Sequence, residues 1–166
     1  MRAIPAIALM IVMVSFISWG LTHAKGLEPP VPAVPSLREQ LIGTYRLVER
    51  DLRRADGSTD IDPVFGPNPA GYITYEPSGH MSLQFMKRER PSNASTAGYN
   101  AYFGTFTVDE QAKTVTHHTE GNLNPRGVGQ HQTRDVILNG DDLTLVVHTM
   151  QDGKPAAYLN RFSRIK

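Results

Sequence analysis

The 166-residue sequence contains no cysteine, and this excludes disulfides, a thiolate nucleophile, thiolate metal ligands and a lipid-bearing cysteine at the end of an export signal. Tryptophan is nearly absent too: the single one is Trp19. No excess charge of either sign exists, since 17 basic residues face 16 acidic ones for a formal net charge of +1. Such neutrality argues against nucleic acid as a partner, because phosphate binding draws its affinity from a basic surface. The run Lys87-Arg88-Glu89-Arg90 is broken by its own glutamate and followed by Pro91, which suits a solvated loop. The chain also lacks a Gly-x-Ser-x-Gly elbow, a phosphate-binding glycine loop and a His-Glu-x-x-His zinc motif, which disfavours common hydrolases and nucleotide enzymes.

One long apolar run is present, over residues 3–21, behind the single positive charge of Arg2. With Thr22-His23-Ala24 supplying small residues at the two positions a signal peptidase inspects, residues 1–24 read as a signal peptide cleaved after Ala24. An uncleaved anchor is the alternative, and this segment is the one expected point of membrane contact. The expected location is exported, periplasmic or secreted. Residues 25–35 hold four prolines in eleven positions and read as an extended linker. Residues 36–166 remain for the folded part. About 140 residues after cleavage bury enough surface for one domain that stands on its core without disulfides.

Ser36 followed by Glu39 makes a capping box for a helix of one or two turns that ends by Gly43. From there the pattern changes to period two, with Tyr45 and Leu47 on one face and Arg46 and Arg50 on the other. Strands are expected near 44–52, 71–76, 80–87, 101–108, 113–120, 130–138, 143–150 and 156–165, separated by short turns such as Pro77-Ser78-Gly79 and Asn139-Gly140-Asp141-Asp142. Eight antiparallel strands joined by short turns avoid exposed edges most simply by closing into a barrel. A barrel of that size is either filled by side chains or holds one small ligand. Two longer connections, 53–70 and 90–98, could lie over its mouth, and surface loops with no role are the competing reading. The second contains Asn93-Ala94-Ser95, a formal N-glycosylation acceptor that is meaningful only in a secreting eukaryote.

Several segments together resemble the lipocalin-like domain family of bacteria and fungi, which has a calycin-type barrel. They are residues 41–48 with Gly43-Thr44-Tyr45, residues 68–75 with Ala70-Gly71-Tyr72, Gly79-His80-Met81-Ser82, Ala101-Tyr102-Phe103-Gly104, residues 115–121 with His117-His118, and Leu159-Asn160-Arg161. The resemblance implies an all-β fold, an eight-stranded antiparallel up-and-down lipocalin-like barrel with a short N-terminal helix. It also implies a plug at the closed end, where lipocalins place the tryptophan of Gly-x-Trp beneath an arginine of the last strand. Here Tyr45 stands at the plug position, and Arg161 is the candidate to stack over it.

The most suggestive polar cluster is Thr116-His117-His118-Thr119-Glu120. Neighbours on a strand point to opposite faces, so His117 and His118 are not a chelating pair. His118 and Glu120 share a face at roughly 7 Å along the strand, and both could touch one ligand. His118 would then hydrogen-bond the ligand or move a proton, with Glu120 as orienting or second acid-base group. A plain outward polar row of Thr114, Thr116, His118 and Glu120 is the competing reading. A metal would need further ligands from His80, His131 or His148, to which no spacing points, so neither metal nor cofactor is expected. Tyr102 pairs an apolar ring with a hydroxyl that could join Gln84 in a pocket, and Glu49, continuing the Tyr45 face inward, would want a partner such as Arg134.

The leading expectation is an exported protein that binds a small, largely apolar molecule in its barrel, oriented by Gln84, Tyr102, His118, Glu120 and Arg134. A cofactor-free isomerase, cyclase or dehydratase working through His118 and Glu120 is the rival, and an envelope domain with a filled barrel and no ligand is the third reading.

Overall fold

The computed structural model describes residues 33–90, 92 and 96–166. The expected signal peptide, all of the linker but residues 33–35, and the Asn93-Ala94-Ser95 acceptor lie outside them. The described chain begins with a five-residue helix α1 (Leu37–Leu41). Ser36 caps it by accepting from the Glu39 amide at 3.2 Å, while the Glu39 carboxylate accepts from the Ser36 amide at 2.8 Å, a reciprocal capping box. So short a helix is held by tertiary contacts rather than by propensity. Leu37 and Leu41 are buried, and Glu110 accepts from the Leu37 and Arg38 amides at 2.7 and 3.0 Å.

Nine strands follow: β1 (Gly43–Arg53), β2 (Thr59–Ile61), β3 (Ala70–Tyr75), β4 (His80–Met86), β5 (Tyr99–Asp109), β6 (Thr114–Asn122), β7 (His131–Asn139), β8 (Asp142–Gln151) and β9 (Lys154–Arg164). A one-turn 3-10 helix (Pro125–Gly127) lies between β6 and β7. Neighbours pair antiparallel in the order β2-β1-β3-β4-β5-β6-β7-β8-β9, and β9 returns to pair with β1. The closed barrel therefore has the eight expected strands. β2 is the addition: it sits in the 53–70 connection and pairs with the far end of β1, Asp51 facing Ile61 and Arg53 facing Thr59.

Period-two alternation drives side chains inward from every wall: Tyr45 and Leu47 of β1, Ile73 and Tyr75 of β3, Met81, Leu83 and Phe85 of β4, with Tyr102 and Phe106 of β5 opposite. Two bulges break the alternation. On β1, Leu47 faces Phe162 while Glu49 faces Arg161, so Val48 is an extra residue. Beyond it the face reverses, Glu49 turns out and Arg50 turns in. The inward Glu49 expected to meet Arg134 is thus corrected, as is the outward Arg50. On β6, Phe103 faces Gly121 while Gly104 faces Thr119, so Glu120 is extra. Gly104 is required there, because a Cβ on it would collide with the His118 carbonyl.

One end of the barrel is closed by α1 and Tyr45, whose ring is fully buried. The arginine over that ring is Arg164, with its guanidinium carbon 4.5 Å from the ring centre. It donates to the Ile42 and Gln40 carbonyls at 2.6 and 2.5 Å and to the Tyr45 hydroxyl. Gly43, at φ +141°, leaves the space this guanidinium fills. Arg161 does not reach Tyr45. The antiparallel register sets Arg164 across from Tyr45 and Arg161 across from Glu49, and on the outer wall Arg161 bonds Glu49 at 2.5 Å and also Asp51.

A candidate ligand cavity inside the barrel

Further along β1 from the plug, the barrel interior opens into a cavity of about 150 Å³. Leu83, Phe85, Leu145, Val147 and Phe162 supply its apolar wall, and Arg50, Asn100, Tyr102, Gln132, Arg134 and Asn160 supply its polar groups. Larger depressions, such as the one of about 430 Å³ between residues 54–56 and 151–156, lie on the outer surface at strand ends.

Arg50 reaches the interior through the β1 bulge and forms an ion pair with Asp62 at 2.6 Å, both side chains largely out of solvent. It also bonds Asn160 and lies over the Tyr158 ring at 4.1 Å. Asp62 organises the 53–70 connection, because its second carboxylate oxygen accepts from the Val64 and Phe65 amides at 2.7 and 3.2 Å. Phe65 is thereby set edge-on against Phe85, with centroids 4.7 Å apart. Phe65 of this connection thus packs against Phe85, a residue of the cavity wall.

Deeper in, His117 stands between two tyrosines. Its Nε2 is 2.7 Å from the Tyr75 hydroxyl and its Nδ1 is 2.9 Å from the Tyr102 hydroxyl, while Arg134 donates to Tyr102 at 2.9 Å. Burial, reinforced by the nearby Arg134 charge and by His118, holds the His117 pKa well below its ordinary value, so the imidazole is neutral. Burial likewise pushes both phenols up, Tyr75 strongly. The direction of the chain follows from satisfaction of donors. Tyr75 is buried, and among the described residues His117 Nε2 is the one hydrogen-bond partner of its hydroxyl, so a proton on Nε2 would strand the Tyr75 O–H at a cost of about 1–3 kcal/mol. The imidazole proton therefore belongs on Nδ1 and is donated to the Tyr102 oxygen. That oxygen then accepts from both His117 and Arg134, which leaves the Tyr102 O–H to point at an acceptor in the cavity it lines.

Of the five ligand-contact residues expected from sequence, Tyr102 and Arg134 line this cavity together. Gln84, His118 and Glu120 do not. Tyr102 faces Leu83 across the β4–β5 ladder, and alternation turns Gln84, the next residue, to the exposed outer face. His118 and Glu120 do share a face, but it is the outer one, since Val115 and His117 hold the inner positions of β6. The pair therefore faces away from the barrel interior. His118 meets Thr107 at 2.9 Å and His131 at 2.5 Å there, a neighbour brought by the β6–β7 register. Among the described residues, no group of three or more His, Cys, Asp or Glu side chains is arranged to hold a metal ion. Sequence reasoning missed Arg50, which needed the bulge, and the inward role of His117, for which Val115 two residues earlier was the available signal.

A closed antiparallel barrel of eight strands, plugged at one end and with a cavity among its inward side chains, defines the class of lipocalin-like barrels. A family model described as a lipocalin-like domain matches residues 42–160, and the chain belongs to that family. No curated protein matches it.

Proposed function

We propose that this protein is an exported binder of a small, largely apolar molecule, held in the barrel cavity and oriented by Tyr102 and Arg134. The observation that carries the reading is the cavity itself: an apolar wall of Leu83, Phe85, Leu145, Val147 and Phe162 faced by six polar side chains that converge on the same space. A cavity of about 150 Å³ has room for a single ring, so the cargo is small. Export is supported by the apolar, singly charged segment 1–24.

Native mass spectrometry of the purified protein tests for a bound molecule, and titration with single-ring compounds tests uptake. Binding that is lost in Leu83→Trp, which fills the cavity, and kept in His118→Ala and Glu120→Ala is the expected result. A protein that arrives empty and takes up no such compound would overturn the reading in favour of a filled structural barrel.

A further inference from the structure

We infer that the molecule taken by this cavity is a small monoanion, a carboxylate on a ring-sized apolar body, with its oxygens on Arg134 and Tyr102. The inference rests on the cavity being a ligand site, and it concerns the ligand's charge. Among the described residues, two guanidiniums, Arg50 and Arg134, line the cavity, and the carboxylate that pairs with one of them is Asp62. Arg50 is matched by Asp62, but among the described residues no carboxylate pairs with Arg134, although Arg134 is only 7% exposed. An arginine so far from water without a counterion is costly. Its field reaches its neighbours: the Arg134 charge helps to depress the Arg50 and His117 pKa values and offsets part of the rise at Tyr102.

The donors of Arg134 are also only partly used. One Nη1 hydrogen goes to the Gln132 carbonyl at 2.7 Å, and Nη2 serves the Gln132 side chain at 2.6 Å and the Tyr102 hydroxyl at 2.9 Å. A guanidinium has five N–H groups, so the Nε hydrogen and the second Nη1 hydrogen have no acceptor among the described residues. The free Tyr102 O–H is a further donor, and Tyr102 and Arg134 both line the cavity. Donors without acceptors and one unmatched positive charge are what a carboxylate completes, since it carries one negative charge and only acceptor oxygens. A phosphate dianion would exceed the charge available. A neutral ring would leave Arg134 as it is.

The test compares benzoate with its neutral isostere benzamide by isothermal titration calorimetry on the full chain at neutral pH and low salt. Benzoate is expected to bind at least about tenfold more tightly, a preference that Arg134→Met abolishes and Tyr102→Phe reduces. Benzamide binding as tightly as benzoate to the wild type would refute the inference while leaving the cavity a ligand site, and that comparison stands even if the variants fail to fold. Uptake of neither ring, with no molecule co-purifying, would refute both readings. If neither ring binds but a molecule co-purifies, its charge decides: an acidic group supports the inference, and a neutral or cationic molecule overturns it.

Discussion

Replacing His117 by phenylalanine should cost stability at neutral pH and almost none in mild acid, because the imidazole is kept neutral in the fold. In the unfolded chain His117 takes up a proton below about pH 6.5, whereas in the barrel its pKa lies well below that through burial and the Arg134 charge. The unfolded state therefore binds more protons, and the stabilisation is fully present above about pH 6.5 and is lost as pH falls towards the folded value. At 1.36 kcal/mol per pH unit, a site still neutral in the fold loses about 2 kcal/mol of stability by about pH 5. Phenylalanine removes this term but strands the buried Tyr75 hydroxyl, whose one partner among the described residues is His117 Nε2, at about 1–3 kcal/mol. The gap between wild type and variant should then shrink by about 2 kcal/mol between about pH 7.5 and pH 5, with carboxylates cancelling in the difference. Urea unfolding followed by far-ultraviolet circular dichroism at the two pH values measures it. A gap that stays constant, or widens in acid, would show that His117 is not a neutral buried imidazole.

Removing the plug arginine should outweigh removing its neighbour on β9. Arg164→Leu is expected to cost about 2–4 kcal/mol in urea unfolding, since it frees the buried Tyr45 hydroxyl and two carbonyls from charged donors, and Arg161→Leu, on the partly exposed outer wall, clearly less. Gly104→Ala should destabilise by more than about 2 kcal/mol, because the new methyl meets the His118 carbonyl rather than a side chain that can move; thermal unfolding reads this out. Glu110→Gln weakens the charged acceptor of two α1 amides and should cost about 1 kcal/mol, with faster amide exchange at Leu37 and Arg38 as the local marker. Asp62→Asn leaves Arg50 without its counterion and should cost about 3 kcal/mol by the same urea assay.

The sequence by itself determined the local part of this protein. The capping box at Ser36 and Glu39, the eight stretches of alternation and the turns between them are short-range signals, and each corresponds to an element of the barrel. What only the tertiary structure decided is which side chains meet inside. One extra residue at Val48 reversed the face of β1 and exchanged Glu49 for Arg50, and the β1–β9 register chose Arg164 over Arg161 for Tyr45. On β6, the inward parity of Val115 put His117 in the core between Tyr75 and Tyr102 and left His118 and Glu120 outside. The physical reason is the same throughout. Alternation along a strand is a local property, but which of its two faces is the inside depends on pairing with strands as far as 119 residues away, and a single bulge changes the answer.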